Sequence, residues 1–93
     1  MDVFDWDEHN LWKIGKHRIS RIEAEQAMLN DPIPIYNQHA EHETRVVYYS
    51  ETDAARYVAI VATQRGANLR VVTAYYMDAG QKREYLTRCF EGD

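Results

Sequence analysis

The sequence has few of the residues that covalent cross-links and metal centres need. Cys89 is the only cysteine among 93 residues, so no intrachain disulfide can form and a zinc site can use one thiolate at most. No apolar run is long enough to span a membrane, and no signal-peptide pattern occurs. These absences predict a protein of the reducing cytoplasm without a membrane anchor.

Motifs for the common cofactors and nucleophiles are missing as well. The sequence contains no glycine-rich phosphate loop, no Ser-His-Asp pattern and no Cys-His arrangement. His39 and His42 stand with Glu41 and Glu43 in a polar segment, but no further residues complete a zinc-ligand pattern there. We therefore expect neither a metal ion nor another cofactor.

The overall charge of the chain limits its partners. A net charge of −4 excludes a general, nonspecific nucleic-acid binder. A local basic face could still bind RNA, although an ordinary mixed surface is the alternative. The length predicts a single domain over residues 1–93 with a modest core, which a partner or a second copy would help to stabilise. The basic run consists of Lys13, Lys16, His17, Arg18 and Arg21.

The N-terminal third of the chain predicts a short strand and two helices. Residues 3–6 favour a strand or an extended start, and Asp7 is a suitable N-cap for a helix over residues 8–18. A glycine near the end of that helix weakens it, so the helix could end early. Ser20, with a glutamate three residues later, has the form of a capping box and predicts a second helix over residues 21–30.

The remaining two thirds predict a sheet followed by a helix. Residues 37–43 are polar and indicate a loop. Asp78 is a suitable cap for a last helix, whose apolar stripe of Leu86, Cys89 and Phe90 is expected to lie on the sheet. This order predicts an α+β fold of two layers, with an antiparallel meander of three to four strands. The predicted strands are residues 33–36, 45–50, 57–63 and 69–77.

Alternation along the last strand predicts which side chains share a face. Tyr75 falls on the same side as Val71 if the strand is regular. Trp6 and Trp12 are large and apolar, so both are expected in the core. The opposite face of the last strand is predicted to carry Arg70, Val72, Ala74 and Tyr76.

Several short motifs are spread over almost the whole chain. They are Phe4-Asp5-Trp6-Asp7, Asn10-Leu11, Lys16-His17, Ile19-Ser20, Asp31-Pro32, Arg45, Val71-Val72-Thr73-Ala74 and Tyr85. In order and spacing, these motifs resemble one known family, the BrnT-type toxins, which are RelE-like ribonucleases of bacterial type II toxin–antitoxin systems. The resemblance implies metal-independent RNA cleavage in the cytoplasm, a cognate antitoxin that neutralises it, DNA contact only through that antitoxin, and a possible homo- or hetero-oligomer.

The chain departs from the pattern of the family near its C-terminal end. Tyr75 stands where the last strand of the family typically has an arginine. Gln81 and Lys82 stand where the last helix usually has a Glu-Arg pair, so one carboxylate is lost. These departures leave a second hypothesis open, in which the chain is a catalytically silent, BrnT-like module that only binds a protein partner.

Cleavage of RNA by its own 2′-hydroxyl needs a base, positive charge near phosphorus and an acid for the leaving oxygen. His17 suits proton transfer because an unperturbed imidazole titrates near neutral pH, and it should share a helix face with Lys13. The alternatives are that His17 caps the first helix, that the strand arginines simply face solvent and that the tyrosines are packing residues. Together with the resemblance, this chemistry gives Lys16, His17, Tyr75 and Tyr85 as candidate catalytic residues, and Lys13, Arg45, Arg70 and Lys82 as candidate RNA contacts.

Overall fold

The computed structural model describes residues 3–91 and has an α+β architecture, as predicted. The strands form one five-stranded sheet in the order β1-β5-β4-β3-β2. Strand β1 pairs in parallel with β5, and the other neighbours are antiparallel. The elements are β1 (Val3–Phe4), α1 (Glu8–Gly15), α2 (Arg21–Leu29), β2 (Ile33–Ala40), β3 (Glu43–Glu51), β4 (Tyr57–Arg65), β5 (Asn68–Tyr76) and α3 (Ala79–Glu91).

The three helix starts lie where the capping residues predicted them. The Asp7 carboxylate accepts a hydrogen bond from the backbone N–H of Asn10, and the Asn10 side chain accepts one from the backbone N–H of Asp7. Ser20 and Glu23 form the same reciprocal pair at the start of α2. The Asp78 carboxylate and a glutamine side chain three residues later cap α3 in the same way. Each cap satisfies backbone N–H groups that have no partner inside the helix.

Helix α1 ends at Gly15, three residues before the predicted end. Arg18 adopts a left-handed conformation with a φ of 62°. Its N–H donates to the Gly15 carbonyl at 2.9 Å, and the N–H of Ile19 donates to the Ile14 carbonyl at 3.1 Å. This pair of hydrogen bonds is a Schellman motif, and it brings Ile19 back into the core beside Ile14.

The predicted loop over residues 37–43 is wrong. Strand β2 continues to Ala40 and β3 begins at Glu43, so that only residues 41 and 42 form the turn. His42 has a positive φ of 68° in this turn. The polar side chains misled the prediction because β2 is an edge strand whose outer half is exposed, and backbone pairing alone keeps it extended.

Helices lie on both faces of the sheet. Helices α1 and α2 pack on one face, whereas only Tyr85 of α3 is buried against the other. The first face contributes Val58, Ile60, Ala62, Val71 and Ala74 to the core. The second face, called the α3 face below, contributes Val47, Tyr49, Ala59, Val61 and Val72, with Tyr75 partly buried beside them.

A bulge in β5 reverses the predicted faces of its last residues. Val61 pairs with Thr73 while Ala62 pairs with Val71, which leaves Val72 as the extra residue. Val71 therefore points toward α1 and α2, whereas Tyr75 lies on the α3 face. The prediction that Tyr75 and Val71 share a face is wrong, because the extra residue shifts the period-2 alternation by one.

Four side chains predicted to be buried are exposed, namely those of Trp12, Leu86, Cys89 and Phe90. Trp12 is 64% exposed and Phe90 is 86% exposed, and the thiol of Cys89 also faces solvent. In α3 the buried side chain is Tyr85, which precedes Leu86 by one residue and so points about 100° away around the helix. Trp6 is half-buried as expected, and no helix among residues 3–91 is long and apolar enough to cross a membrane.

Candidate active site

The turn after α1 brings His17 against β5. The ring centroids of His17 and Tyr75 are 6.3 Å apart, in an edge-to-face arrangement at 61°. The Tyr76 hydroxyl donates a hydrogen bond of 2.9 Å to the Arg18 carbonyl, which holds the turn on the strand. Two predicted catalytic residues that are far apart in the sequence are therefore neighbours.

Lys16 lies on the exposed side of this turn. Its ammonium nitrogen is 4.9 Å from the centroid of the Trp12 ring, which places one positive charge directly beside His17 in the chain. Because α1 ends at Gly15, His17 lies beyond the helix, and the predicted helix face shared by Lys13 and His17 is wrong. Lys13 itself is half-buried in the last turn of α1.

Burial raises the pKa of Tyr75, and the nearby phenol of Tyr36 raises it further, while the Gln81 side chain partly offsets both effects. Burial likewise raises the pKa of Tyr49. Tyr49 lies level with Tyr75 in the sheet, and β4 is the one strand between them. The Tyr75 and Tyr49 hydroxyls therefore stay protonated at neutral pH and can donate hydrogen bonds. Tyr36 and Tyr49 were missed in the sequence, because only the sheet order reveals that they lie near Tyr75.

Arg70 is held by two carboxylates. Its side chain is 10% exposed and contacts the Asp7 carboxylate at 3.0 Å and the Asp5 carboxylate at 3.7 Å. The hydrogen bond from Arg70 lowers the pKa of Asp7 to about 2, so that this carboxylate stays charged. In the structure, Arg70 links β5 to the start of α1, and its role as an RNA contact stays a prediction.

Arg45 is also paired. Its Nε is 2.6 Å from a Glu43 carboxylate oxygen, and this hydrogen bond lowers the pKa of Glu43. Arg45 lies two residues before Val47 and hence on the α3 face. It stands two rows of side chains, roughly 13 Å, from the row that contains Tyr75.

The two predicted site residues of α3 lie elsewhere. Lys82 is 5.9 Å from the ring centroid of Tyr57, in a cleft that Arg56 and Met77 also line. Tyr85 is 4% exposed and packs on Tyr57 with ring centroids 5.9 Å apart, and burial raises its pKa. Tyr85 thus has a packing role in the described structure, while its catalytic role stays a prediction.

The predicted site thus divides into parts. His17 and Tyr75 come together at one end of β5, and Lys16 is next to His17 in the chain, whereas Arg45 and Arg70 are paired with carboxylates and Lys82 lies in the cleft beside Tyr57. Within residues 3–91, no group of three or more histidine, cysteine, aspartate or glutamate side chains is arranged to hold a metal ion.

Comparison with known proteins identifies the family. A family model described as the ribonuclease toxin BrnT of type II toxin–antitoxin systems matches residues 6–81. No curated protein and no solved structure gives a match to the chain. The matched range contains Lys16, His17 and Tyr75 and stops before Tyr85. Because this range covers most of the 93 residues, the chain belongs to the BrnT family of ribonuclease toxins from type II toxin–antitoxin systems.

Proposed function

We propose that this chain is a metal-independent endoribonuclease of the bacterial cytoplasm, whose active site is formed by Lys16, His17 and Tyr75. The contact between His17 and Tyr75 is the observation that carries the proposal, since it pairs two groups able to exchange protons. Family membership supplies the class of substrate, RNA, and the class of inhibitor, a cognate antitoxin protein. Contact with DNA would occur only through that antitoxin.

The proposed reaction begins with neutral His17, which takes the proton from a ribose 2′-hydroxyl. The 2′ oxygen forms a bond to phosphorus, and the bond from phosphorus to the 5′ oxygen breaks. Tyr75 gives its proton to the departing oxygen, and the ammonium group of Lys16 stabilises the charge on the phosphoryl oxygens. The products are a 2′,3′-cyclic phosphate and a 5′-hydroxyl.

The neighbouring rings also support a return of the proton. After cleavage, His17 is an imidazolium and Tyr75 is a phenolate, and their adjacency lets the imidazolium reprotonate the phenolate. The raised pKa of Tyr75 keeps its hydroxyl protonated before the reaction, which fits an acid rather than a base. Tyr75 would thus replace a family arginine as hydrogen-bond donor, while Lys16 supplies the charge that a tyrosine lacks.

A second candidate function is a catalytically silent module that binds a protein partner. The pairing of Arg45 with Glu43 and of Arg70 with Asp7 favours it, because two cations that RNA would need are already neutralised. The glutamine at position 81 favours it as well, since no carboxylate stands there.

The two functions are separated by induced expression and by cleavage of RNA with purified protein in the presence of a chelator. We expect the wild-type protein to arrest growth and to yield 2′,3′-cyclic phosphate ends. His17→Ala and Tyr75→Phe should each lower the cleavage rate by about 10²- to 10⁴-fold. Exposed His39→Ala and half-buried Tyr48→Phe are matched controls and should cleave like wild type; Tyr48 lies on the opposite face of the sheet from Tyr75.

Circular dichroism of each variant confirms that the fold is intact. A folded wild-type protein that neither arrests growth nor cleaves RNA would establish the silent module instead. Cleavage that disappears on chelation and returns with a divalent cation would contradict the metal-independent mechanism.

A further inference from the structure

The exposed Trp12 is the least expected feature of the surface. Its side chain is 64% exposed, although tryptophan offers more apolar area than any other residue type. The other tryptophan, Trp6, is half-buried and donates a hydrogen bond of 2.7 Å from Nε1 to Glu25. Trp12 therefore contributes little to the core, and its ring is available to a ligand.

The surroundings of Trp12 favour an anionic ligand. Within residues 3–91, six of the arginines form ion pairs with carboxylates: Arg21, Arg45, Arg56, Arg65, Arg70 and Arg88. Lysines and arginines without such a partner in the same range are Lys82 and Arg83 on α3, and a group of three at the end of α1: Lys13, Lys16 and Arg18. Three of these five side chains thus lie within residues 13–18 of the chain, and the Lys16 ammonium among them contacts the Trp12 ring.

We propose that Trp12 and Lys16 form a stacking site for an unpaired base of single-stranded RNA. A flat aromatic face next to a cation is the arrangement with which proteins hold single strands, because the ring stacks on a base and the cation neutralises the neighbouring phosphate. The Lys16 ammonium already lies 4.9 Å from the Trp12 ring centroid. It would therefore lie close to the phosphate of a nucleotide whose base stacks on Trp12.

The position of this site relates it to the proposed chemistry. Lys16, whose ammonium group contacts the Trp12 ring, directly precedes His17 in the chain, and the His17 ring contacts Tyr75. A base stacked on Trp12 would belong to a nucleotide that flanks the phosphate at His17. Because a base inside a duplex cannot stack on a side chain, the site selects unpaired RNA. This inference rests on the proposed function and extends it to the class of RNA that is bound.

The two tryptophans make the test direct. In a Trp6→Phe, His17→Ala protein, Trp12 is the only tryptophan and cleavage is suppressed. We expect an oligouridylate of about 10 nucleotides, within the usual site size of small single-strand binders, to quench its fluorescence. The same strand annealed to oligoadenylate should quench much less.

Fluorescence anisotropy in the His17→Ala background measures how much Trp12 contributes to the affinity for RNA. Trp12→Ala should weaken binding by about 5- to 150-fold, the range expected for loss of one base–aromatic stack, and Trp12→Phe should recover part of it. Leu11→Ala is a matched control, because Leu11 is the neighbouring exposed apolar residue of α1 and should bind RNA like the parent.

Each outcome has a distinct meaning. Equal affinity of Trp12→Ala and the parent, with wild-type protein that cleaves RNA, would overturn the stacking site and leave the nuclease intact. Quenching and Trp12-dependent binding without any cleavage by wild type would support the stacking site and overturn the nuclease. If Trp12→Ala impairs binding only of an antitoxin protein and not of oligouridylate, Trp12 is a protein contact and the proposal is wrong.

Discussion

At the scale of single residues, Arg18 shows how the site is positioned by an unfavourable backbone conformation. Its φ of 62° lies in the left-handed region, which costs an L-residue about 1–2 kcal/mol relative to a right-handed conformation. The conformation is kept because the Schellman hydrogen bonds and the Tyr76 hydroxyl all use backbone groups of this turn. The backbone of Arg18, rather than its side chain, therefore presents His17 to Tyr75.

Substitution of this residue by glycine tests that account. Arg18→Gly should stabilise the protein by about 0.5–1 kcal/mol, because glycine adopts positive φ without strain while the backbone hydrogen bonds persist. The measurement is the midpoint of urea unfolding. Arg18→Ala keeps the Cβ atom and should leave the free energy of unfolding nearly unchanged. Equal destabilisation by both substitutions would contradict the backbone explanation and point to the guanidinium.

At the scale of elements, polar residues join α1 to the sheet. Asn10 is 1% exposed, and its Nδ2 donates to the carbonyls of Asp5 and Val71 at 2.9 Å each. Asp7 caps α1 and also pairs with Arg70 of β5. These contacts fix the angle at which α1 leaves the sheet, and hence where its last turn lies.

The pairing of Asp7 with Arg70 predicts a dependence of stability on pH. The pKa of Asp7 falls from 3.8 to about 2 in the folded protein, so its charged form stabilises the fold above pH 3.8. This stabilisation is lost as the pH falls through the interval from 3.8 to about 2, because the carboxylate must then be protonated. Thermal unfolding followed across this interval should show the loss.

Substitution at position 7 isolates this effect from the cap. Asp7→Asn retains a good N-cap and removes the charge, so it should lower the Tm near neutral pH and reduce the fall in Tm across the acid interval. Asp31→Asn removes an exposed carboxylate that forms no ion pair within residues 3–91 and is the control. The same fall in Tm for Asp7→Asn and wild type would contradict the assignment.

At the scale of the whole molecule, the two faces of the sheet are covered unequally. Helices α1 and α2 close the first face with several buried side chains, whereas α3 contributes Tyr85 alone. Tyr85 packs with Tyr57 and Met77, Gln81 is half-buried, and the other residues of α3 are exposed. The attachment of a whole helix therefore depends largely on one aromatic ring.

Removal of the Tyr85 ring should strongly destabilise the protein. Tyr85→Ala is expected to lower the free energy of unfolding by about 3 kcal/mol, because it removes a buried aromatic side chain and leaves a cavity. Leu86→Ala, at the next and 40% exposed position, should change it by less than about 0.5 kcal/mol. Urea unfolding of both variants provides the comparison. A small effect of Tyr85→Ala would mean that α3 is held by contacts other than this ring.

The sequence by itself determined the helix starts, the strand-rich second half and the family. Asp7, Ser20 and Asp78 cap their helices through partners three residues away, so a local pattern was sufficient. The length of β2 could not be predicted in this way, because its polar outer half is kept extended by pairing with β3. The exposure of Trp12 could not be predicted from the sequence either, since the burial of a side chain depends on which other elements cover it.

Only the tertiary structure decided which of the predicted site residues lie close together. The extra residue at Val72 set the face of Tyr75, and the parallel pairing of β1 with β5 put Arg70 beside Asp7 rather than beside a phosphate. His17 contacts Tyr75, 58 residues later in the chain, because the turn after α1 packs against β5. Caps and turns follow from interactions between near neighbours in the chain, whereas the site depends on the register and order of strands, which many distant contacts fix together.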